Sequence, residues 1–322
     1  MAVNNNSKTG DTFVSIVMPC FNSALTIKNS VASVYNQTFK NFELIIVDDG
    51  STDNSRQVIN ELEATYPNIK SIFKSNSGPA QSRNVGIQAA SGQFIAFLDS
   101  DDTWHPEFLE KLLGCLEQNP DCKLAYCGWQ NIGLAADRCK PYIPPDYETS
   151  DKASILLKSC PWPIHAVIAR KQEIDRVKGF NDAWFTAEDF DMWLRIALFG
   201  KIVRVPEVLS YYHHKQGEQI TRNRLRAILN HLGVQKAFLK DFPRIEKSIG
   251  KQNCNKLIYE QILYQAYELY WAGELGGAQI LFRKAFISGQ FKPTDLKYII
   301  PAWLPSGIYL NFIGAFRKQA NH

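Results

Sequence analysis

Four short apolar runs alternate with segments of helical periodicity in the first hundred residues. The runs are residues 13–18, 42–47, 70–74 and 94–98. Between them apolar side chains recur at helical spacing, as at Ile27, Val31 and Val34. Strands that alternate with helices of this length need crossover connections, which set the strands parallel and cover both faces of the sheet. The pattern therefore predicts an α/β fold with a mostly parallel sheet and helices on both faces.

The fourth apolar run ends in three carboxylates, Asp99, Asp101 and Asp102. Carboxylates crowded at the end of a buried strand repel one another and resist desolvation, and a divalent cation relieves both penalties. Mg²⁺ and Mn²⁺ bind one or two carboxylates together with phosphate oxygens, so a nucleotide diphosphate would complete such a site. The alternative is a polar turn whose carboxylates cap the helix that follows near Pro106.

Polar turns follow three of the predicted strands at their carboxyl ends. They are residues 19–22, 48–53 and 99–102. Open parallel sheets bind ligands in the crevice at this edge. Three separate strands thus predict a single site. The segment 121–206 is less regular and contains one clear amphipathic stretch, at 190–199.

Composition excludes several other classes of protein. The chain has 322 residues, 45% of them hydrophobic, which suits one domain of about 200 to 230 residues and a smaller appendage. A net charge of +4 without a Lys/Arg run does not indicate nucleic-acid binding. The seven cysteines fit neither a zinc pattern nor a disulfide framework, and residues 1–11 lack the apolar core of a signal peptide. We therefore expect a cytoplasmic protein with reduced thiols.

The chain beyond residue 221 is predicted to be helical, with helices at 225–238, 257–271 and 278–286. Residues 298–316 carry no charge and precede Arg317 and Lys318, but prolines and glycines interrupt them. Three alternatives follow: a helix in the membrane interface, packing on the main domain, or a membrane span. Trp303 and Tyr309 favour the interface.

Five motifs occur in order along the first 200 residues. They are VSIVMPCFN at 14–22, IVDDGSTD at 46–53, NSG to RNVG at 76–86, LDSDD at 98–102 and EDFDMWLR at 188–195. Together they resemble glycosyltransferase family 2, whose members have the Rossmann-like GT-A fold. The resemblance covers about 14–221 and implies an inverting, metal-dependent transfer of a sugar from a nucleotide sugar, expected to be a UDP-sugar, to an acceptor hydroxyl. It divides the chain into a flexible N-terminus (1–12), a GT-A catalytic domain (13–221) and a helical C-terminal region (222–322) with the interface tail at 298–318.

The resemblance also assigns a nucleotide-sugar site. The residues are Pro19, Asn22, Asp48, Asp49, Arg83, Asp99 and Ser100. Asp48 and Asp49 would accept hydrogen bonds from the base or ribose, and the donor fork of Arg83 would face a phosphate or the base. Structural roles are the alternatives: Asp-Gly-Ser turns cap helices, and a helix arginine is often solvated.

The metal and the base follow from the same resemblance. Asp99 and Asp101 would hold Mn²⁺ or Mg²⁺, with His214 completing the site. The Tyr-Arg pair that is frequent in the family is missing near Tyr212, which leaves the choice between His213 and His214 open. Asp189 would be the general base, and an acidic first turn of a helix is its structural alternative.

The biological role is inferred from what is present and absent in the sequence. The Gln-x-x-Arg-Trp motif of processive synthases does not occur, nor does a series of transmembrane helices, which favours a single addition. We expect a saccharide or lipid-linked acceptor in surface polysaccharide, lipopolysaccharide or glycolipid synthesis, with peripheral contact at the inner face of the plasma membrane. The alternative is a catalytically inactive nucleotide-sugar-binding or scaffold protein of the same fold.

Overall fold

The computed structural model describes residues 12–214 and 223–320, so the predicted flexible N-terminus lies almost entirely outside the described residues. Two compact units make up this part of the chain. The first contains residues 12–150 and 160–214, and the second contains 151–159 and 223–320.

The first unit is built on one sheet, with eight strands among the described residues. In chain order they are β1 (Val14–Cys20), β2 (Phe42–Asp48), β3 (Ile69–Phe73), β4 (Phe94–Phe97), β5 (Thr103–Trp104), β6 (Cys122–Ile132), β7 (Val167–Arg170) and β8 (Lys201–His213). Their order across the sheet is β3-β2-β1-β4-β7-β6-β8-β5. β7 is antiparallel to β4 and β6, and β5 to β8, whereas the other pairs are parallel. The predicted mostly parallel α/β sheet is confirmed.

Helices cover both faces of this sheet. In chain order the helices of the first unit are α1 (Ile27–Tyr35), α2 (Ser55–Thr65), α3 (Pro79–Ala89), α4 (Phe108–Gln118), α6 (Lys171–Arg176) and α7 (Glu188–Ala197). The helix α5 (Lys152–Lys158), between α4 and α6 in the chain, belongs to the second unit. α1, α2 and α4 pack with Ile16 and Met18 of β1 in one core. α3 lies on the other face, where a Cβ added at Gly86 would be 2.3 Å from Val17 Cγ1. β1 is buried along its whole length for this reason.

The segment 121–206 contains two strands that the sequence pattern does not reveal, β6 and β7. β6 mixes Lys123, Gly128 and Asn131 with apolar residues and shows register shifts against β8, so it lacks the strict alternation that marks a strand. β7 is only four residues long. Together they extend the sheet from β4 to β8. The last residue of β8, His213, then lies next to Asp102 in the turn that follows β4.

The second unit is helical, as predicted. Its further helices are α8 (Arg224–Asp241), α9 (Pro243–Ile249), α10 (Lys251–Ala272), α11 (Leu275–Ser288), α12 (Leu296–Ile299) and α13 (Ser306–Ala320). α10 ends at Gly273, whose φ of 87° reverses the chain into α11. The hydrophobic core contains Ile262 and Leu269 of α10 with Leu281 of α11.

The C-terminal tail is partly buried in the core of this helical unit. Ile299, Ala302 and Tyr309 are fully buried there, whereas Ile300 and Trp303 are exposed. Among the described helices, none has the length and hydropathy needed to cross a bilayer. The tail therefore contributes to the fold of the second unit and still presents apolar side chains on its outer surface.

Candidate active site

The carboxyl ends of β1, β2 and β4 meet at one edge of the sheet, as the turns predicted. Cys20 pairs with Asp48 at the ends of β1 and β2, and the backbone N–H of Leu98 donates to Val17 on the other side of β1. The polar residues that follow these strands thus lie next to one another, because parallel strands end at the same edge.

Asn22 ties the first two turns together. Its Oδ1 accepts hydrogen bonds from the backbone N–H groups of Thr52, at 2.8 Å, and Asp53, at 3.4 Å. Its own N–H donates to Ser51 Oγ at 2.9 Å. The residue has a φ of 50°, a left-handed conformation that asparagine tolerates. Asn22 therefore shapes the turn after β2, and Pro19 lies buried within β1.

Asp48 and Asp49 are adjacent but have different surroundings. Asp49 accepts backbone hydrogen bonds from Ser77 and Gly78, at 2.9 and 2.8 Å, and pairs with Lys74. It therefore holds the loop that leads into α3. Asp48 is 1% exposed, and its Oδ1 has no hydrogen-bond partner among the described residues. A buried acceptor without a partner is costly, so Asp48 can accept from a ligand donor.

Arg83 joins three elements at the centre of the site. Its Nη2 donates to Asp99 Oδ1 and its Nη1 to Glu188 Oε1, both at 2.7 Å. The side chain is only 6% exposed. The two carboxylates raise the pKa of Arg83, which stays charged despite its burial. Arg83 thereby fixes α3 to the turn after β4 and to the start of α7. Breaking either bond would leave a buried charge unpaired.

An acidic pair opens α7. Ala187, the residue before the helix, has a φ of 70°, an uncommon conformation for alanine that is often found at functional sites. Burial raises the pKa of Glu188 to about 7, with the neighbouring Asp189 adding to the shift. Burial also raises the pKa of Asp189, although Arg83 opposes it. A carboxylate with a raised pKa is a stronger base, which is the property that proton abstraction at neutral pH requires.

The raised pKa of Glu188 makes stability depend on pH. The pKa of Glu188 is 4.5 in the unfolded chain and about 7 in the folded protein, so between these values the folded protein keeps a proton that the unfolded chain has lost. Protonation of this carboxyl therefore favours folding at low pH. We expect the free energy of unfolding to fall by about 1 to 3 kcal/mol as pH rises from about 4.5 to about 7. Urea unfolding across this range should show a flatter profile for Glu188→Gln than for the exposed control Glu61→Gln. Identical profiles would contradict the assignment.

The remaining residues after β4 are held by hydrogen bonds to neighbouring elements. Ser100 Oγ donates to Ser23 Oγ at 2.8 Å. Asp102 Oδ1 accepts from the backbone N–H of His213 at 2.8 Å, and its Oδ2 lies 3.5 Å from His165 Nε2. His165 is fully buried, and desolvation lowers its pKa to about 4, so the ring is neutral. Sequence reasoning missed His165, because a single histidine in an irregular segment carries no signal.

His213 and His214 point to different neighbours. His213 Nε2 is 2.8 Å from Thr103 Oγ1, close to the carboxylates that follow β4. His214 Nε2 is 3.2 Å from Asn131 Oδ1, and its ring meets Tyr212 edge to face. Within 12–214 and 223–320, no three His, Cys, Asp or Glu side chains are grouped to hold a metal ion. The structure thus does not bring His214 into such a group with Asp99 and Asp101.

Comparison with known proteins settles the family. The family model described as "Glycosyl transferase family 2" matches residues 15–171. The "UDP-Glc:alpha-D-GlcNAc-diphosphoundecaprenol beta-1,3-glucosyltransferase WfgD" of Escherichia coli is 35% identical over 58% of this chain and 70% of its own length. The chain belongs to glycosyltransferase family 2. The predicted family and enzyme class are confirmed.

Solved structures show that this family 2 glycosyltransferase has the GT-A fold. TarS of S. aureus in complex with UDP-GlcNAc superposes with a TM-score of 0.62 at 17% identity, over 94% of this chain and 87% of that one. The mannosyltransferase PcManGT of Pyrobaculum calidifontis, in complex with GDP-Man and Mn²⁺, gives 0.54 at 17% identity, over 94% and 86%. The curated relatives differ in length, and the matched region spans from 18% to 85% of them.

Proposed function

We propose that this glycosyltransferase moves one sugar from a UDP-sugar to an acceptor hydroxyl with inversion at the anomeric carbon. The observation that carries the proposal is the pair of bonds from Arg83 to Asp99 and Glu188, because Asp99 follows β4 and Glu188 directly precedes the predicted base, Asp189. WfgD, named for UDP-Glc, and TarS, solved with UDP-GlcNAc, support uridine as the base.

The proposed nucleotide cradle uses the three turns. Asp48 Oδ1 would accept from the ring N–H of uracil or a ribose hydroxyl, because it is buried and has no hydrogen-bond partner in the part of the chain that the structure describes. Pro19, Asn22 and Asp49 would line the same pocket, Asn22 and Asp49 by holding the loops in place. Arg83 would face the diphosphate, where its charge favours an anion. Asp99 and Ser100 would lie toward the ribose and the metal.

The donor set after β4 fits a hard divalent cation. Asp99 and Asp101 are partly exposed and supply carboxylate oxygens, which Mg²⁺ and Mn²⁺ prefer, and the diphosphate would complete the coordination. The role of His214 as a further ligand remains a prediction. When bound, the cation would neutralise charge on the departing nucleoside diphosphate.

Asp189 supplies the base of the proposed mechanism. The acceptor oxygen would attack the anomeric carbon as the bond to the diphosphate oxygen breaks, and the acceptor proton would pass to Asp189. A single displacement inverts the configuration and needs no covalent intermediate. Burial supports this role, since it raises the pKa of Asp189.

Removing the metal should stop transfer. We expect EDTA to abolish release of UDP from a UDP-sugar and Mn²⁺ to restore it, because the metal stabilises the leaving group. Asp101→Asn should lower the rate by about 100-fold or more and raise the Mn²⁺ concentration needed for half-maximal activity. Asp241→Asn, on an exposed residue of the second unit, is the control. Full activity in EDTA would contradict the proposed metal dependence.

The acceptor is proposed to be a saccharide or lipid-linked sugar at the inner face of the plasma membrane. WfgD is named for a diphosphoundecaprenol-linked acceptor. The second unit exposes Ile287 by 75%, Ile300 by 63% and Trp303 by 49%, with the rings of Phe286 and Trp303 5.6 Å apart. Arg283 lies against Trp303, a pairing that suits the boundary between headgroups and water.

Vesicle flotation tests the membrane contact. We expect the protein to float with phosphatidylglycerol vesicles. The double variant Ile287→Ser/Trp303→Ser should remain in solution, because it lacks the two apolar side chains that would insert into the membrane interface. Leu25→Ser, on a residue that is 96% exposed in the first unit, is the control and should float like the unchanged protein. Flotation of the double variant to the same extent would contradict this surface.

A further inference from the structure

A cavity opens in the first unit between β6, β8 and the segment before β7. It is lined by Trp129, Asn131, Leu134, Arg138, Pro163, Tyr212 and His214. Its volume is about 290 Å³, at the lower end of the range for small-molecule sites. The cavity thus has room for a group of sugar size, and among its lining residues only His214, the predicted metal ligand, is assigned to the nucleotide-sugar and metal site.

Short contacts connect this cavity to the carboxylates of the site. Tyr212 stacks on the ring of His165 at 5.6 Å, and His165 lies 3.5 Å from Asp102. The next residue, His213, donates its N–H to Asp102. Tyr212 therefore forms the wall between the acidic cluster and the cavity.

The lining suits a saccharide ring. Trp129 and Tyr212 offer aromatic faces, on which the C–H groups of a sugar can pack, and Asn131 offers an amide at the rim. Such a mixture of aromatic faces and a few polar groups is typical of ligand sites, whereas a core cavity would be lined by aliphatic residues.

Arg138 adds an exposed cation, carried by a turn that hydrogen bonds tie to β6. Asn131 Nδ2 donates to the Arg138 carbonyl at 3.3 Å, and Gln130 Nε2 donates to the Cys139 carbonyl at 2.8 Å. These bonds hold the turn against the strand. Among the ion pairs of the described chain, none joins Arg138 to a carboxylate. Arg138 lines the cavity, and no ion pair among the described residues neutralises its charge, so an anionic group of a ligand would be its partner there.

We propose that this cavity binds the acceptor through an anionic group, a phosphate or a carboxylate, next to the sugar that receives the transfer. The inference rests on the proposed function, because it assigns the acceptor side of the same site. Arg138 provides the charge-assisted hydrogen bonds, Trp129 and Tyr212 provide the ring contacts, and the acceptor hydroxyl then reaches the carboxylates across Tyr212.

Binding of matched saccharides to the full chain tests this proposal. The probes are octyl β-glucuronide against octyl β-glucoside, and N-acetylglucosamine 1-phosphate against N-acetylglucosamine, with UDP and Mn²⁺ present. We expect at least one anionic probe to bind about tenfold or more tightly than its neutral partner, as a charge-assisted bond implies. The two pairs distinguish a carboxylate from a phosphate as the preferred anion.

Arg138→Gln should abolish this discrimination and leave UDP affinity unchanged. Lys140→Gln removes the same charge from an exposed residue of the same loop that does not line the cavity, and should retain the discrimination. Equal binding of charged and neutral probes, no binding of any probe, or discrimination that survives in Arg138→Gln would overturn the proposal. UDP is titrated separately: if it fails to bind while the anionic probes bind, the donor assignment fails and the cavity stands.

Discussion

Asp189→Asn is expected to lower the rate of sugar transfer by about 100- to 10,000-fold and to leave the affinity for UDP unchanged. The substitution keeps the size of the side chain and its hydrogen bond from Phe190 N–H, so the start of α7 is preserved. It removes only the ability to take a proton from the acceptor hydroxyl. The rate is measured as release of UDP from a UDP-sugar in the presence of acceptor, and the affinity by calorimetry.

The matched control is Asp175→Asn, at an exposed carboxylate that pairs with Lys171 on the surface. It makes the same chemical change outside the site, and we expect activity within about twofold of the unchanged protein. If Asp189→Asn transfers sugar as fast as this control, Asp189 is not the base. If it also loses UDP binding, the substitution has disturbed the cradle, and the role assigned to the side chain is wrong.

Arg83→Met is expected to destabilise the first unit by about 3 to 5 kcal/mol, the largest effect on stability that the structure predicts for a single substitution. The reason is that Asp99 and Glu188 both depend on this buried guanidinium, at 2.7 Å each. Removing it takes away the guanidinium that pairs with these two residues and whose charge acts on Asp189. Urea denaturation, followed by tryptophan fluorescence, measures the change in the free energy of unfolding.

Two further variants separate the buried network from a general effect of losing charge. Lys28→Met breaks an exposed ion pair with Glu61, whose side chains are 59% and 49% exposed, and should cost less than about 1 kcal/mol. Adding Asp99→Asn to Arg83→Met should recover part of the loss, since it removes a carboxylate that Arg83 pairs with. A loss no greater than that of Lys28→Met would refute the structural role of Arg83.

Much of the site could be predicted because its residues follow strands. Asp48 and Asp99 come directly after apolar runs that form parallel strands. Because parallel strands end at the same edge of the sheet, the fold itself brings these two residues close together. The sequence could not distinguish Asp48 from Asp49. Only the structure shows that Asp49 is engaged by Lys74 and the Gly78 turn while an oxygen of Asp48 has no partner among the described residues.

Other parts depend on long-range contacts that leave no local pattern. Arg83 and Glu188 are 105 residues apart, and nothing near either residue indicates that they form an ion pair. His165 reaches Asp102 only because β7 is inserted antiparallel between β4 and β6. The cavity beside Arg138 arises where the irregular β6 pairs with β8, and such register shifts have no signal in a single sequence.

Calorimetric titration with a panel of nucleotides tests the central claim most directly. UDP, GDP, CDP and ADP are titrated into the full chain with Mn²⁺ and again with EDTA. We expect saturable binding of UDP to one site, about tenfold or more tighter than that of the other nucleotides, and much weaker binding for Asp99→Asn and in EDTA. No binding of any nucleotide in the panel would contradict the proposal that this protein is a nucleotide-sugar-dependent transferase.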